Sequence, residues 1–115
     1  MRKRELEKVN KCHFLGKVTY NPEIHHKEGV PVILFELEVE EFRKDSNGEK
    51  IRTATYLNCE AWDSAALAIN KYAECGSLMA VEAIARNSSF TLDGVAEDIL
   101  ETYFRVTNFK ILHRS

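Results

Sequence analysis

The chain has 115 residues, 44% of them hydrophobic, and sets 16 Lys and Arg against 18 Asp and Glu for a net charge of −2. That length fits one domain around a single modest core and leaves no room for a second. The near-neutral balance excludes a protein that gathers polyanions by its overall field, so any polyanion site must be a local patch.

The start, Met1-Arg2-Lys3-Arg4, is basic but runs into Glu5 and Glu7 instead of an apolar stretch, which is neither a secretory signal nor an anchor. Nothing further along reaches the length of a membrane span. Lys11 to Tyr20 alternates as a first strand, with Cys12, Phe14 and Val18 on one side and Lys11, His13 and Lys17 on the other. Gly16 suggests a bend within it. Asn21-Pro22 breaks the strand, and Glu23 to Gly29 reads as a polar connection holding His25 and His26. Val30 to Phe42 reads as the second strand. Ile33, Phe35, Leu37 and Val39 share one face and Glu36, Glu38, Glu40 and Phe42 the other, as in a sheet that is wet on one side. The turn Arg43 to Glu49 contains Asn47-Gly48, a pair that tolerates positive φ, so an antiparallel hairpin leads into the third strand.

That third strand carries Tyr56-Leu57-Asn58-Cys59-Glu60-Ala61-Trp62, in which alternation puts two rings and an amide on one face and Leu57, Cys59 and Ala61 on the other. The rings either cover a core or meet a flat ligand, and the segment alone leaves both open. After Trp62 the period changes. Asp63 or Ser64 is placed to cap a helix, Ala65, Ala68, Ile69 and Tyr72 fall at helical spacing, and Gly76 ends it. Leu78 to Arg86 and Tyr103 to Leu112 complete the strands. The long arm between them, Asn87 to Thr102, holds Asp93-Gly94 as a turn and an acidic run of Glu97, Asp98 and Glu101. Three strands, a helix and two strands is the element order of the OB-fold, an all-β, five-stranded Greek-key barrel with its helix between strands three and four. Residues 1–8 stand as an N-terminal extension and residues 9–115 as one such domain.

From Val9 to Leu112 the chain resembles the bacterial-type single-stranded DNA-binding protein (SSB) family. The resemblance is carried by Val9-Asn10-Lys11, Leu15-Gly16-Lys17, Asn21-Pro22-Glu23, Phe35-Glu36-Leu37-Glu38-Val39 and Asn47-Gly48-Glu49. It is strongest in Leu57-Asn58-Cys59-Glu60-Ala61-Trp62 and Gly76-Ser77-Leu78-Met79-Ala80-Val81-Glu82, all in order and at family spacing. It implies bases stacked on Phe42, Tyr56, Trp62 and Phe90, with Phe42 requiring a one-residue slip that a bulge would absorb. The cations near those rings are Lys17, Arg43, Lys44, Lys50, Arg52 and Arg86, each a phosphate contact or simply a solvated charge. Against them stands the ladder Glu36, Glu38, Glu40 on the face of Phe42, which repels phosphate unless Lys50 or Arg52 pairs with it across the strands.

The resemblance therefore implies sequence-tolerant binding of single-stranded DNA, protecting it in replication, recombination and repair, by a homo-oligomer, tetrameric or dimeric. The family usually continues through a flexible linker to an acidic tip that docks replication and repair proteins; Ser115 comes before any such tail. The alternative is a tail-less primosomal replication protein of the same superfamily, a dimeric barrel that binds single strands and a helicase. Three cysteines, Cys12, Cys59 and Cys75, odd in number and in apolar or helix-end contexts, fit reduced thiols and a cytoplasmic location. An enzyme is not expected. Neither Cys12-His13 nor His25-His26 forms a spaced metal motif, no nucleophile elbow or triad is present, and no cofactor is implied.

Overall fold

The computed structural model describes residues 6–90 and 99–113. In chain order the elements are β1 (Cys12–Val18), β2 (Glu23–Lys27), β3 (Val30–Lys44), β4 (Lys50–Trp62), α1 (Asp63–Tyr72), β5 (Leu78–Phe90) and β6 (Ile99–His113). They form one sheet in the order β1-β5-β6-β4-β3-β2, and a further pairing of β1 with β3 closes it on itself. The closed ring of β1, β3, β4, β6 and β5 is the five-stranded OB barrel that the sequence predicts.

The sixth strand, β2, lies where the sequence predicts a polar connection, and this is a correction. Glu28 and Gly29 both take positive φ, 52° and 82°, and form a two-residue turn that sets Lys27 opposite Val30. Such mirror-image turns match strand twist, so a tight hairpin forms although Glu is an unusual residue for the first position. Only Ile24 of β2 packs toward the core, so the strand carries too little apolar alternation to announce itself. β2 and β1 lie one after the other along the same edge of β3, pairing with Val30–Leu34 and with Leu37 and Glu38. The helix consequently lies between β4 and β5, still directly after the strand that carries Tyr56 and Trp62.

Gly16 is needed for closeness. A Cβ at this position would sit 2.7 Å from the carbonyl oxygen of Glu38, so only glycine lets β1 press against β3 where the barrel closes. The opposite seam is a short parallel pairing of β4 with β6, Cys59 with Phe104 and Glu60 with Arg105. Inside, Val18, Ile33, Phe35, Leu37, Ile69, Met79 and Val81 are almost wholly buried, and Phe14 meets Phe104 edge to face with ring centroids 5.0 Å apart.

Other boundaries differ from expectation for local reasons. Neither Asp63 nor Ser64 caps α1. Trp62 is the N-cap, with no side-chain capping bond, and Asp63 has φ 55°. The helix buries Ala66 and Ile69, with Ala65 half-buried against the core, while Tyr72 is exposed. Gly76 lies beyond the helix end, where its N–H donates to the Val18 carbonyl at 2.7 Å and helps return the chain to the barrel. The arm predicted between the last two strands is itself strand, since the β5–β6 ladder continues through Asn87↔Thr102 to Phe90↔Ile99. Asp93-Gly94 and the Glu97-Asp98 part of the acidic run lie outside the described residues.

Candidate nucleic-acid interface

One continuous ladder builds the outer face. β3 and β4 pair in a single register from Val32↔Trp62 to Lys44↔Lys50, so the bulge expected near Phe42 is absent from this pair. With no slip, every even-numbered residue from Leu34 to Lys44 faces outward together with Lys50, Arg52, Tyr56, Asn58, Glu60 and Trp62. Phe42 and Tyr56 are 54% and 55% exposed although they are large rings on a strand, so more than half of each side chain lies open to solvent. Trp62 is half-buried at the far end. Ten residues of ladder separate the position opposite Phe42 from Trp62, about 33 Å of floor.

The acidic ladder is paired. Arg52 Nε donates to Glu40 at 2.8 Å and its Nη2 lies 3.5 Å from Glu38. The Tyr56 hydroxyl donates to Glu38 at 2.9 Å, and the Thr19 hydroxyl to Glu36 at 2.7 Å. Arg52, by hydrogen bond first and charge second, holds the Glu40 carboxyl below the usual carboxylate range and is itself raised in return. The Tyr56 phenol is raised, chiefly by its bond to Glu38, and stays protonated in ordinary buffers. Arg52 thus neutralises its neighbours across the strand pair, so its guanidinium is already engaged by two carboxylates.

The remaining predicted cations divide by position. Lys50 places its ammonium 4.2 Å from the Phe42 ring centroid, and Phe42, Arg43, Lys44 and Lys50 line a cleft of about 360 Å³ at the hairpin end. The hairpin loop is fastened by Asp45, whose carboxylate accepts from the N–H groups of Asn47 and Glu49, each at 2.9 Å. Lys17 is exposed on β1 opposite Glu38, and its charge adds to the lowering at Glu40. Arg86 is exposed on β5 opposite Tyr103. Phe90 ends β5, and its side chain lies outside what the structure describes.

A second cleft, about 430 Å³, opens at the Trp62 end and draws on residues that strand-by-strand reading passes over: Tyr20, Lys27, Tyr103 and Arg105 line it together with Asn58 and Glu60. Arg105 stands over Trp62, 5.4 Å from ring to guanidinium carbon, and 3.6 Å from Glu60. The indole N–H of Trp62 donates to the same Glu60 carboxylate. Burial first, then the charge of Glu36, raises the Tyr20 phenol. No local pattern ties Tyr20 or Arg105 to Trp62, because strand closure alone joins them.

The histidines show no convergent chemistry. His25 pairs with Glu23 at 3.4 Å and His13 with Glu82 at 3.8 Å, both exposed. Among the described residues no cluster of three or more His, Cys, Asp or Glu is arranged to hold a metal ion, and no helix is long and apolar enough to cross a membrane.

A small closed barrel with exposed rings and cations along one outer face is the form of an OB-fold protein that binds unpaired nucleic acid. The chain belongs to the single-strand binding protein family, whose model matches residues 9–111. It is 28% identical over 101 residues to the single-stranded DNA-binding protein of Staphylococcus epidermidis, covering 88% of this chain and 76% of that one. It is 32% identical over 74 residues to single-stranded DNA-binding protein 1 of Lactococcus lactis, covering 64% of this chain and about half, 48%, of the relative. Solved structures share the fold, two of them as follows. The Plasmodium falciparum SSB in complex with single-stranded DNA superposes with a TM-score of 0.82 at 19% identity, covering 96% of this chain and 100% of that one. A deletion variant of the Thermus aquaticus single-stranded DNA-binding protein gives 0.78 at 19% identity, covering 91% and 51%.

Proposed function

We propose that this chain binds single-stranded DNA without strong sequence preference and shields it during replication, recombination and repair. The observation that carries the reading is the exposure of Phe42 and Tyr56, in one register with Trp62, on the outer face of an OB barrel whose family is built for single strands. Bases stack on the three rings and on Phe90, since every base offers a π face. Lys17, Arg43, Lys44, Lys50 and Arg86 follow the backbone and release counterions. Arg52 joins them to the extent that phosphate competes with Glu38 and Glu40. The relatives carry the same binding in their names. The chain works by binding and not by catalysis.

The domain responsible runs from residue 9 to the end of the sequence, preceded by a short extension, and it acts in the cytoplasm as a homo-oligomer. Supporting that assembly, the edge of β1 facing β3 is paired only at Lys17 and Val18, which leaves the backbone groups of Cys12 to Gly16 on that side without a strand partner among the described residues. Docking of replication or repair proteins belongs to the same proposal.

Trp62 is the sole tryptophan, so titration is direct. Oligo-dT at low salt quenches its fluorescence and the effect fades as salt rises, with a log–log slope near −0.7 per phosphate contacted. A duplex of equal length that binds equally well overturns the single-strand reading. Light scattering with and without the oligonucleotide gives the stoichiometry.

A further inference from the structure

We propose that Arg105 holds a backbone phosphate of the bound strand beside Trp62, and that Glu60 competes for this guanidinium until the strand arrives. The inference deepens the single-strand reading and rests on it.

Arg105 is brought to the ring by the barrel seam. The parallel pairing Glu60↔Arg105 joins β6 to the end of β4, and the guanidinium then lies over the indole at 5.4 Å. Its bonding is incomplete. The Nη2 atom is 3.6 Å from Glu60, well beyond the roughly 2.7–2.9 Å of a formed charge-assisted bond. Nε is buried with no hydrogen-bond partner among the described residues. A guanidinium with five donors and one loose partner is an anion site half made.

The surroundings favour phosphate over a second carboxylate. The cleft beside Arg105 adds Lys27 as another cation and the hydroxyls of Tyr20, Tyr103 and Ser88 as donors, against Glu60 and Glu101; the Thr102 hydroxyl already donates to Asn87. Its volume, about 430 Å³, accepts a nucleotide but not a folded partner. By contrast Arg52 is held by two carboxylates and Lys50 lies on Phe42. A base stacked at Trp62 therefore brings its phosphate within reach of Arg105, which exchanges one oxyanion for another while Glu60 retains the indole N–H.

The test is a salt series of oligo-dT binding, read by anisotropy of a labelled oligonucleotide so that changes near Trp62 do not alter the signal. Arg105→Gln weakens binding about tenfold at low salt, and its log–log slope becomes shallower by about 0.7, one phosphate contact. Arg105→Lys keeps the wild-type slope. Glu60→Gln removes the competing charge but keeps an acceptor for the indole, so binding tightens several-fold with the slope unchanged. Thermal melts separate a lost contact from a lost fold, and if Arg105→Gln does not fold, the Glu60→Gln result still decides. A wild-type slope in folded Arg105→Gln, or weaker binding by Glu60→Gln, overturns the inference and makes Arg105 a seam residue only. Wild-type protein that binds no oligo-dT overturns the single-strand reading itself.

Discussion

Arg52 Nε stands 2.8 Å from Glu40 Oε2 across the β3–β4 ladder, and the same guanidinium reaches Glu38 at 3.5 Å. The outer face of β3 and β4 is thereby kept from being an acidic stripe, and the cation beside Tyr56 is occupied. Replacing Glu38 and Glu40 with Gln frees Arg52, so oligo-dT binding tightens and its salt slope steepens by about 0.7. An affinity unmoved when Glu36, Glu38 and Glu40 are all Gln would show that the ladder does not limit binding. Arg52 holds the Glu40 carboxyl low, so its stabilising charge is present above the ordinary carboxylate value and is lost as pH falls through the lowered one.

Truncating the rings separates contact from cover. Phe42→Ala, Tyr56→Ala and Trp62→Ala each weaken oligo-dT binding by about 5- to 150-fold. Phe42 and Tyr56, being more than half exposed, leave the melting temperature nearly unchanged. Trp62→Ala shifts it further, because the half-buried indole also anchors Glu60 and Arg105. Equal loss of folding stability for all three, with affinity intact, would mark the rings as structural.

Gly16→Ala tests the closure of the barrel. The new methyl would meet the Glu38 carbonyl oxygen at 2.7 Å, a backbone atom that cannot swing aside. Overpacking of this kind costs about 1–3 kcal/mol, read as a lowered urea midpoint. A variant as stable as the wild type would mean that β1 and β3 separate there at no cost.

Cys59 provides a pH signature. Burial pushes its thiol up to about 12. A raised acid group of this kind contributes stability that is complete below the unfolded value, about 8.5, and declines as pH rises toward the folded one. Between pH 9 and 10.5 the wild type therefore loses stability faster than Cys59→Ala, as denaturant midpoints at each pH would record. In the native protein at pH 8 a thiol reagent labels exposed Cys75 ahead of Cys59, which stays protonated and enclosed. Rapid labelling of Cys59 at pH 8 without unfolding would contradict its burial.

Much of the architecture is legible because alternation is a local property. Ile33, Phe35 and Leu37 against Glu36, Glu38 and Glu40 predict one wet and one dry face, and the structure buries the first three and pairs the acids outside. β2 was hidden because the evidence for it is not in its own residues: a strand with one inward side chain is defined by the edge of β3 that receives it. The helix cap failed for a similar reason, since the chain leaving β4 takes its direction from the barrel and sets Asp63 at positive φ before a side-chain cap can form.

By itself the sequence determined which residues lie on which face of β1, β3 and β4, where the Asn47-Gly48 hairpin turns, and that Tyr56 and Trp62 point the same way, because side-chain direction follows from strand period and turn chemistry. Tertiary structure alone decided which charges those rings meet. Arg52 bridges Glu38 and Glu40 because β3 and β4 pair without a slip, and Arg105 stands over Trp62 because β6 closes against β4. The first contact depends on the register of one hairpin and the second on closure between strands that stand far apart in the chain, and neither is written in a single strand.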